Sequence, residues 1–158
     1  MITNLNPHAV EVTLCNRLGY ERIAMECSAS FAKIFGCPAD RIEDLKTVVA
    51  EAALNAMEHG NQGRANAKVT LFMDFKDDII NVAVIDEGNG IREFPPKPDI
   101  ARIIDNMDPP IGFGLFLIKQ LTDQVEFARR TDGGHVVKMA IKISRTDEKA
   151  QGGNAVYK

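Results

Sequence analysis

Glu51 and Asn55 place a carboxylate and a carboxamide four residues apart in the sequence. On an α-helix this spacing makes the two side chains stacked neighbours on one face. Asp44, Thr47 and Glu58 share that arc, and the opposite arc is apolar: Ile42, Leu45, Val49, Ala52, Ala53 and Ala56. Such a stripe is typical of a solvated helix face. The glycine motifs downstream favour a second interpretation, that the stripe faces a ligand, a nucleotide with its metal.

The first glycine motif is Asp86-Glu87-Gly88-Asn89-Gly90, at the end of an apolar run. A carboxylate at this position can accept a hydrogen bond from the exocyclic amine of a flat base. Gly88 and Gly90 would let the backbone approach that base with no side chain between them. An ordinary turn after a strand is the alternative, and the motif alone does not decide between the two.

The second motif, Gly112-Phe113-Gly114-Leu115, stands at the predicted start of a helix. The free amide groups and the positive dipole end of a helix N-terminus suit an anion. The preceding residues 92–111 contain five of the seven prolines, and an irregular loop of that length in a compact domain is usually functional or disordered. We interpret the motif as the hinge of a phosphate-gripping lid; a helix entered through a flexible loop is the alternative.

Hydrophobic periodicity predicts the order β-α-α-β-β-loop-α-β-β. The second helix is expected to begin with a capping box between Asp40 and Glu43 and to end near His59, with Gly60-Asn61 in left-handed backbone. A short helical piece is predicted at 99–106. The fold class is an α+β two-layer sandwich with a mixed, mostly antiparallel sheet and helices on one face. The other elements are strands at 10–14, 68–75, 79–86, 124–130 and 135–143, and helices at 17–35 and 114–122.

The 158 residues fit one domain, for which we predict bounds of 8–143, followed by a flexible polar tail at 144–158. The net charge of −3 argues against a direct nucleic-acid or membrane partner. The three cysteines have no zinc or disulfide spacing and suit free thiols in a reducing compartment. With neither a signal peptide nor a membrane-length apolar segment, a cytoplasmic protein is expected.

Together the motifs resemble the N, G1 and G2 boxes of the GHKL (Bergerat-fold) ATPase/kinase superfamily, which includes gyrase B, Hsp90, histidine kinases and MutL. The boxes are Glu51-x-x-x-Asn55, Asp86-x-Gly88-x-Gly90 and Gly112-x-Gly114. Within the superfamily the sequence is most similar to the anti-sigma factor serine/threonine-protein kinases of the RsbW and SpoIIAB type. The resemblance covers residues 8–143 and implies the Bergerat ATP-binding fold.

The resemblance implies an ATP site with Mg²⁺. Asp86 would bind the adenine amine, and Gly88 and Gly90 would line the base and sugar. Four residues would offer backbone amides to the phosphates: Gly112, Phe113, Gly114 and Leu115.

Three further roles follow from the resemblance. Asn55 would hold the Mg²⁺ that bridges the phosphates, and His59 matches a position near them, although a helix-capping role is equally open. Glu51 would accept the proton of a partner's serine as it attacks the γ-phosphate. One position departs from the family pattern: His135 stands after Gly133-Gly134, where the family usually carries a threonine near the adenine. A solvent-facing histidine on a strand is the simple interpretation.

The implied function is a switch kinase that phosphorylates an anti-sigma-factor antagonist with a STAS domain and also binds a sigma factor or similar regulator. The resemblance further implies a homodimer. A nucleotide-gated module that sequesters a partner without chemistry remains the alternative. A split histidine kinase is less favoured because no dimerisation helix with a phosphoacceptor histidine is seen, and gyrase-type hydrolysis because no transducer domain is seen.

Overall fold

The computed structural model describes residues 6–88 and 113–144, and the backbone of 155–157. The predicted helical piece at 99–106 and the expected site residues Gly90 and Gly112 lie outside these residues. The strands are β1 Ala9–Cys15, β2 Lys68–Lys76, β3 Ile79–Ile85, β4 Gln124–Arg129, β5 His135–Lys142 and β6 Ala155–Tyr157. The helices are α1 Glu21–Ile34, α2 Ala39–Asn55 with a π-helical turn at Ala56–Gly60, and α3 Phe113–Leu121.

The strands form one sheet in the order β1-β2-β3-β5-β4-β6. All neighbouring pairs are antiparallel except β4 and β6. The tight turn between β2 and β3 has positive φ at Asp77 and Asp78, as the two-residue hairpin connection requires. The predicted mixed, mostly antiparallel sheet is confirmed, and β3 is central, as its nearly continuous apolar sequence indicated.

The core lies between one face of the sheet and the helices. Side chains of a strand alternate between faces, so every second residue of β2 and β3 is buried. Helix α2 lies at the centre of the helical layer and packs against α1, α3, β3 and β5. Its apolar arc is buried as the periodicity predicted, and Val48 is buried with it: Ile42, Leu45, Val49, Ala52, Ala53 and Ala56.

Three local predictions are wrong. Pro38, in extended backbone, caps α2 without a side-chain hydrogen bond, so Asp40 lies inside the first turn and the capping box does not form. Helix α1 begins at Glu21 rather than near residue 17, because residues 17–20 form a turn. The left-handed residues after α2 are Gln62 and Gly63, with φ of 53° and 68°, rather than Gly60 and Asn61.

The segment 144–158, predicted to be a flexible tail, contains strand β6. Residues 155–157 pair in parallel with β4, Val125 opposite Ala155 and Phe127 opposite Tyr157. No sequence pattern predicted this strand, which is three residues long and follows a polar stretch with two glycines.

Arg41 joins α2 to the far end of the sheet. Its side chain is buried and donates to Asp44 Oδ2 at 2.8 Å, to Asp123 Oδ2 at 2.5 Å and to the Lys142 carbonyl at 3.1 Å. Asp123 Oδ2 also accepts the Lys142 amide at 2.9 Å. The guanidinium therefore links α2, the start of β4 and the end of β5, at the end of the sheet opposite to Asp86.

Arg41→Met should destabilise the protein by about 3 kcal/mol, because it keeps most of the buried volume but leaves two mostly buried carboxylates without their guanidinium. Urea unfolding of the variant measures the loss. Arg130→Ala is the matched control, since Arg130 pairs with Asp132 at the surface and exposed pairs contribute about 1 kcal/mol or less. Equal effects of the two substitutions would contradict a structural role for Arg41.

Candidate functional site

A pocket opens between the C-terminal end of α2, helix α3 and the ends of β3, β4 and β5. Most of its wall is apolar, with polar side chains at three places: Asn55, Asp86 and His135. The remaining lining residues are Ala52, Ala56, Val84, Leu115, Phe127, Ala128, Val136 and Val137. An apolar slot with few polar groups at its ends suits a flat heterocycle that carries hydrogen-bonding groups on its edge.

Asp86 lies at one end of the pocket with a fixed, buried carboxylate. The residue is 7% exposed. Its Oδ1 accepts the backbone amides of Gly88 and His135, each at 3.0 Å, and its own amide donates to the His135 carbonyl at 3.0 Å. The position of this carboxylate is thus set by the β3–β5 pairing and by the turn that follows β3.

Three glycines make room for Asp86 and the residues after it. A Cβ on Gly60 would overlap the Asp86 carboxylate, and a Cβ on Gly88 would overlap the Gly60 carbonyl oxygen. A Cβ on Gly134 would overlap the Asp86 carbonyl oxygen. Gly88 was predicted as a site residue for its close approach, whereas Gly60 and Gly134 were interpreted only as a helix stop and a turn. Glycine is required at these two positions because segments that are distant in sequence contact each other there, and the local sequence does not reveal such contacts.

Asn61 anchors the segment that follows Asp86. Its side chain is fully buried; Oδ1 accepts the Glu87 amide at 2.8 Å, and Nδ2 donates to the Lys68 carbonyl at 2.9 Å and to Asn16 Oδ1 at 3.2 Å. Arg64 donates to the Glu87 carbonyl at 3.2 Å from the other side. Sequence reasoning missed this network, although two asparagines at the ends of predicted elements are a weak indication of it.

Asn55 lines the pocket, and Glu51, one helical turn before it, meets the start of α3. A Cβ on Gly114 would overlap Glu51 Oε2 and would lie 3.5 Å from Asn55 Nδ2. The two side chains therefore face α3 rather than open solvent, in contrast to Glu58, which is exposed. Both predicted boxes, Glu51-x-x-x-Asn55 and the Gly114 end of the third, are brought into contact.

Asn55 has an amide atom that the described protein leaves unsatisfied. Its Nδ2 is buried and has no hydrogen-bond partner within residues 6–88 and 113–144. Asn55 is the last α-helical residue before the π-helical turn Ala56–Gly60, and π-helical turns are frequent at functional sites. A buried amide nitrogen is a hydrogen-bond donor, so without a partner, and beside a glycine that leaves space, it fits an acceptor such as a phosphate oxygen.

The remaining predicted residues divide between the pocket and its surroundings. Leu115 lines the pocket, and Phe113 opens α3 with its ring 6.1 Å from that of Phe116. His59 is half-buried in the π-helical turn and does not line the pocket that the described residues form. In that part of the chain, no three His, Cys, Asp or Glu side chains form a metal-binding group. Mg²⁺ commonly relies on one or two protein oxygens with phosphates and water.

The Glu51 carboxyl has a raised pKa, because burial disfavours its charged form and the nearby Glu58 charge adds to the effect. A carboxylate of this kind binds a proton more readily than an exposed one, as general-base chemistry requires. Folding therefore favours the protonated form of Glu51, and the ionised form costs stability at neutral pH.

Glu51→Gln should accordingly raise the melting temperature at pH 7. The gain should shrink as the pH falls towards and below about 4.3, the ordinary glutamate value, because Glu51 is then protonated in both states. Thermal unfolding between pH 4 and pH 8 measures the trend. Glu11→Gln, at an exposed position on β1, is the control and should change little; a destabilised Glu51→Gln at pH 7 would contradict the burial argument.

The sequence is similar to a known domain family and to several bacterial regulatory proteins. Residues 16–141 match the family described as the histidine kinase-like ATPase domain. The anti-sigma F factor of Oceanobacillus iheyensis is 28% identical over 134 residues, 80% of this chain and 86% of that protein. The anti-sigma F factor of Bacillus subtilis is 25% identical over the same shares. The serine-protein kinase RsbW of Bacillus subtilis is 28% identical over 125 residues, 76% of this chain and 78% of the relative.

A crystal structure of the RsbU and RsbW domains of a Mycobacterium tuberculosis protein has a similar fold, with a TM-score of 0.63 at 16% identity. The similarity covers 92% of this chain but spans only 35% of the length of that solved chain. At that identity it supports the fold alone. In the described part of the chain, no helix is both long and apolar enough to cross a membrane.

Proposed function

Because the chain belongs to the histidine kinase-like ATPase domain family, we propose that it binds ATP with Mg²⁺ and phosphorylates a serine or threonine of a protein partner. One observation carries the proposal: the Asp86 carboxylate and the Asn55 amide line one apolar pocket, and Glu51 lies one helical turn before Asn55, against the start of α3. A ligand bound in the pocket would therefore meet a base-recognising carboxylate, and its phosphate end is proposed to extend past Asn55 to the proton acceptor Glu51.

Each residue has a role in this proposal. Asp86 Oδ1 is already held by backbone amides, so the carboxylate is oriented to accept a hydrogen bond from the adenine amine. The first residues of α3, Phe113 to Leu115, are proposed to offer their backbone amides to the phosphates. Gly90 and Gly112 are proposed to complete the base and phosphate contacts. Asn55 is proposed to hold Mg²⁺, which neutralises phosphate charge when it is bound.

Glu51 is proposed as the general base. Its raised pKa suits a group that receives a proton from a serine or threonine hydroxyl as that oxygen attacks the γ-phosphate. Phosphoryl transfer depends chiefly on positioning and charge neutralisation, so one carboxylate, one metal and a row of amides are sufficient. His59, which is near this end of α2 in sequence, is proposed as a weaker phosphate contact.

The names of the relatives support a specific partner class. Two of them are called anti-sigma F factors and one a serine-protein kinase. We therefore propose a STAS-domain anti-sigma-factor antagonist as substrate and a sigma factor as a second partner, with phosphorylation of the antagonist switching which one is held. A cytoplasmic homodimer is part of the same proposal, and light scattering of the purified chain tests the dimer.

A phosphotransfer assay tests the kinase. The protein, ATP, Mg²⁺ and a cognate antagonist are incubated, and the antagonist is analysed for phosphoserine and phosphothreonine by mass spectrometry. The proposal is supported if the original protein phosphorylates the antagonist and Asp86→Asn loses both ATP binding and transfer. ATP binding without transfer would instead favour a nucleotide-gated module that sequesters its partner, and phosphohistidine on the partner would indicate a histidine kinase.

A further inference from the structure

His135 contributes a buried ring nitrogen to the pocket. Its Nδ1 lies 3.3 Å from Asp86 Oδ1, and the two side chains are 14% and 8% exposed. Its Nε2 is buried and, among the described residues, has no hydrogen-bond partner. The expectation of a solvent-facing histidine is therefore wrong: β5 places the ring inside the pocket, beside the carboxylate that is proposed to bind the base.

The contact with Asp86 determines whether each ring nitrogen donates or accepts a hydrogen bond. A carboxylate oxygen only accepts hydrogen bonds, so Nδ1 must carry a proton to bond it. Nε2 is then an acceptor in the neutral ring and a donor in the imidazolium. The edge of adenine presents a donor, the exocyclic amine, next to an acceptor, ring nitrogen N1. The Asp86 carboxylate can accept from the amine, and a protonated Nε2 can donate to N1. In a neutral ring whose proton is on Nδ1, the Nε2 lone pair would instead face the N1 lone pair.

One charged group lies in contact with the ring within the described part of the pocket. Asp86 supplies the negative charge, from the residue that follows β3. Arg129, directly opposite on β4, has an exposed side chain, and the pocket residues from α2 and α3 carry no ionisable group: Ala52, Asn55, Ala56 and Leu115. In the described part of the pocket, Asp86 is thus the charged group that the imidazole contacts.

We propose that His135 is a specificity-determining residue that binds the adenine edge as an imidazolium, so that ATP binding takes up a proton. The inference rests on the proposed ATP site. Guanine should not bind in this way, because its corresponding edge presents an acceptor and a donor in the opposite order. Since the proposed bound form is the protonated one, affinity for ATP should increase as the pH falls from 8 to 6.

Calorimetric titration with ATP and Mg²⁺ at pH 6, 7 and 8 tests the inference in the full chain and in His135→Thr. Between pH 8 and pH 6, affinity of the original protein relative to the variant should rise about tenfold or more. Because both proteins bind the same ligand, protonation of ATP itself cancels from this ratio. His8→Gln is the control histidine, because His8 is exposed and does not line the pocket, and this variant should keep the pH dependence. GTP should bind more weakly than ATP at pH 6.

Proton uptake is measured independently by repeating the titration in buffers of different ionisation enthalpy. For the original protein, ¹⁵N NMR of the His135 ring with bound ADP should show both nitrogens protonated, a result that needs no variant. Superimposable pH profiles for the two proteins, or a neutral ring in the complex, would overturn the inference while leaving ATP binding and transfer intact. Absence of ATP binding at every pH would overturn this inference and the proposed function together.

Discussion

Replacement of Glu51 by glutamine should leave ATP affinity nearly unchanged and reduce phosphoryl transfer to the antagonist by about 10²–10⁴-fold, the range typical of a lost general base. Glutamine keeps the length of the side chain and its place against Gly114 but cannot accept a proton. ATP affinity by calorimetry and initial rates of antagonist phosphorylation, at saturating ATP, separate the two effects.

Asp86→Asn is the complementary variant. It should lose ATP binding, because asparagine keeps only one acceptor oxygen, which the Gly88 and His135 amides occupy, and its amide nitrogen cannot accept a hydrogen bond from the adenine amine. If Glu51→Gln transfers phosphate at the original rate, Glu51 is not the general base. If that variant instead loses ATP affinity, Glu51 has a role in ATP binding.

Gly60→Ala should weaken ATP binding by about 30-fold or more, equivalent to about 2 kcal/mol. The added Cβ would overlap the Asp86 carboxylate, so Asp86 or the π-helical turn must shift. The shift would disturb the hydrogen bonds of Oδ1 with Gly88 and His135, each 3.0 Å long. ATP affinity by calorimetry measures the effect.

Gly63→Ala is the matched control for this prediction. Nothing lies within 4 Å of a Cβ at Gly63, but its φ of 68° is unfavourable for alanine. This variant should lose about 1 kcal/mol of stability or more without changing ATP affinity. If both variants lower ATP affinity in proportion to their loss of stability, the close approach of Gly60 to Asp86 has no specific role in ATP binding.

Sequence patterns were sufficient for the sheet and for the burial of α2. The alternation in β2, the apolar continuity of β3 and the apolar arc of α2 each express where a side chain points relative to the core, and that direction follows from backbone periodicity. Helix starts were predicted less well. Asp40 is a residue type that commonly caps helices, but Pro38, in extended backbone, is the cap, so the helix begins two residues earlier than a cap at Asp40 would place it.

Some of the site residues could also be predicted from patterns within single elements. Five residues could be proposed from sequence because residue type and spacing within single elements point to their chemistry: Glu51, Asn55, Asp86, Gly88 and Gly114. The structure brings Asn55 and Asp86 to one pocket, with Gly88 hydrogen-bonded to Asp86 and Glu51 next to Gly114. The expected glycines at 90 and 112 stay predictions, as do the roles of all these residues towards ATP.

By itself, the sequence of this protein determined the order of β1 to β5 and of the helices α1, α2 and α3, the buried faces of α2 and β2, and the three motifs, since these depend on neighbours along the chain. The tertiary structure decided that Glu51 and Asn55 face α3, that Gly60 and Gly134 must lack a side chain, and that Asn61 and His135 belong to the Asp86 end of the pocket. Those properties depend on atoms that are distant in sequence and meet only when α2, β3 and β5 pack together.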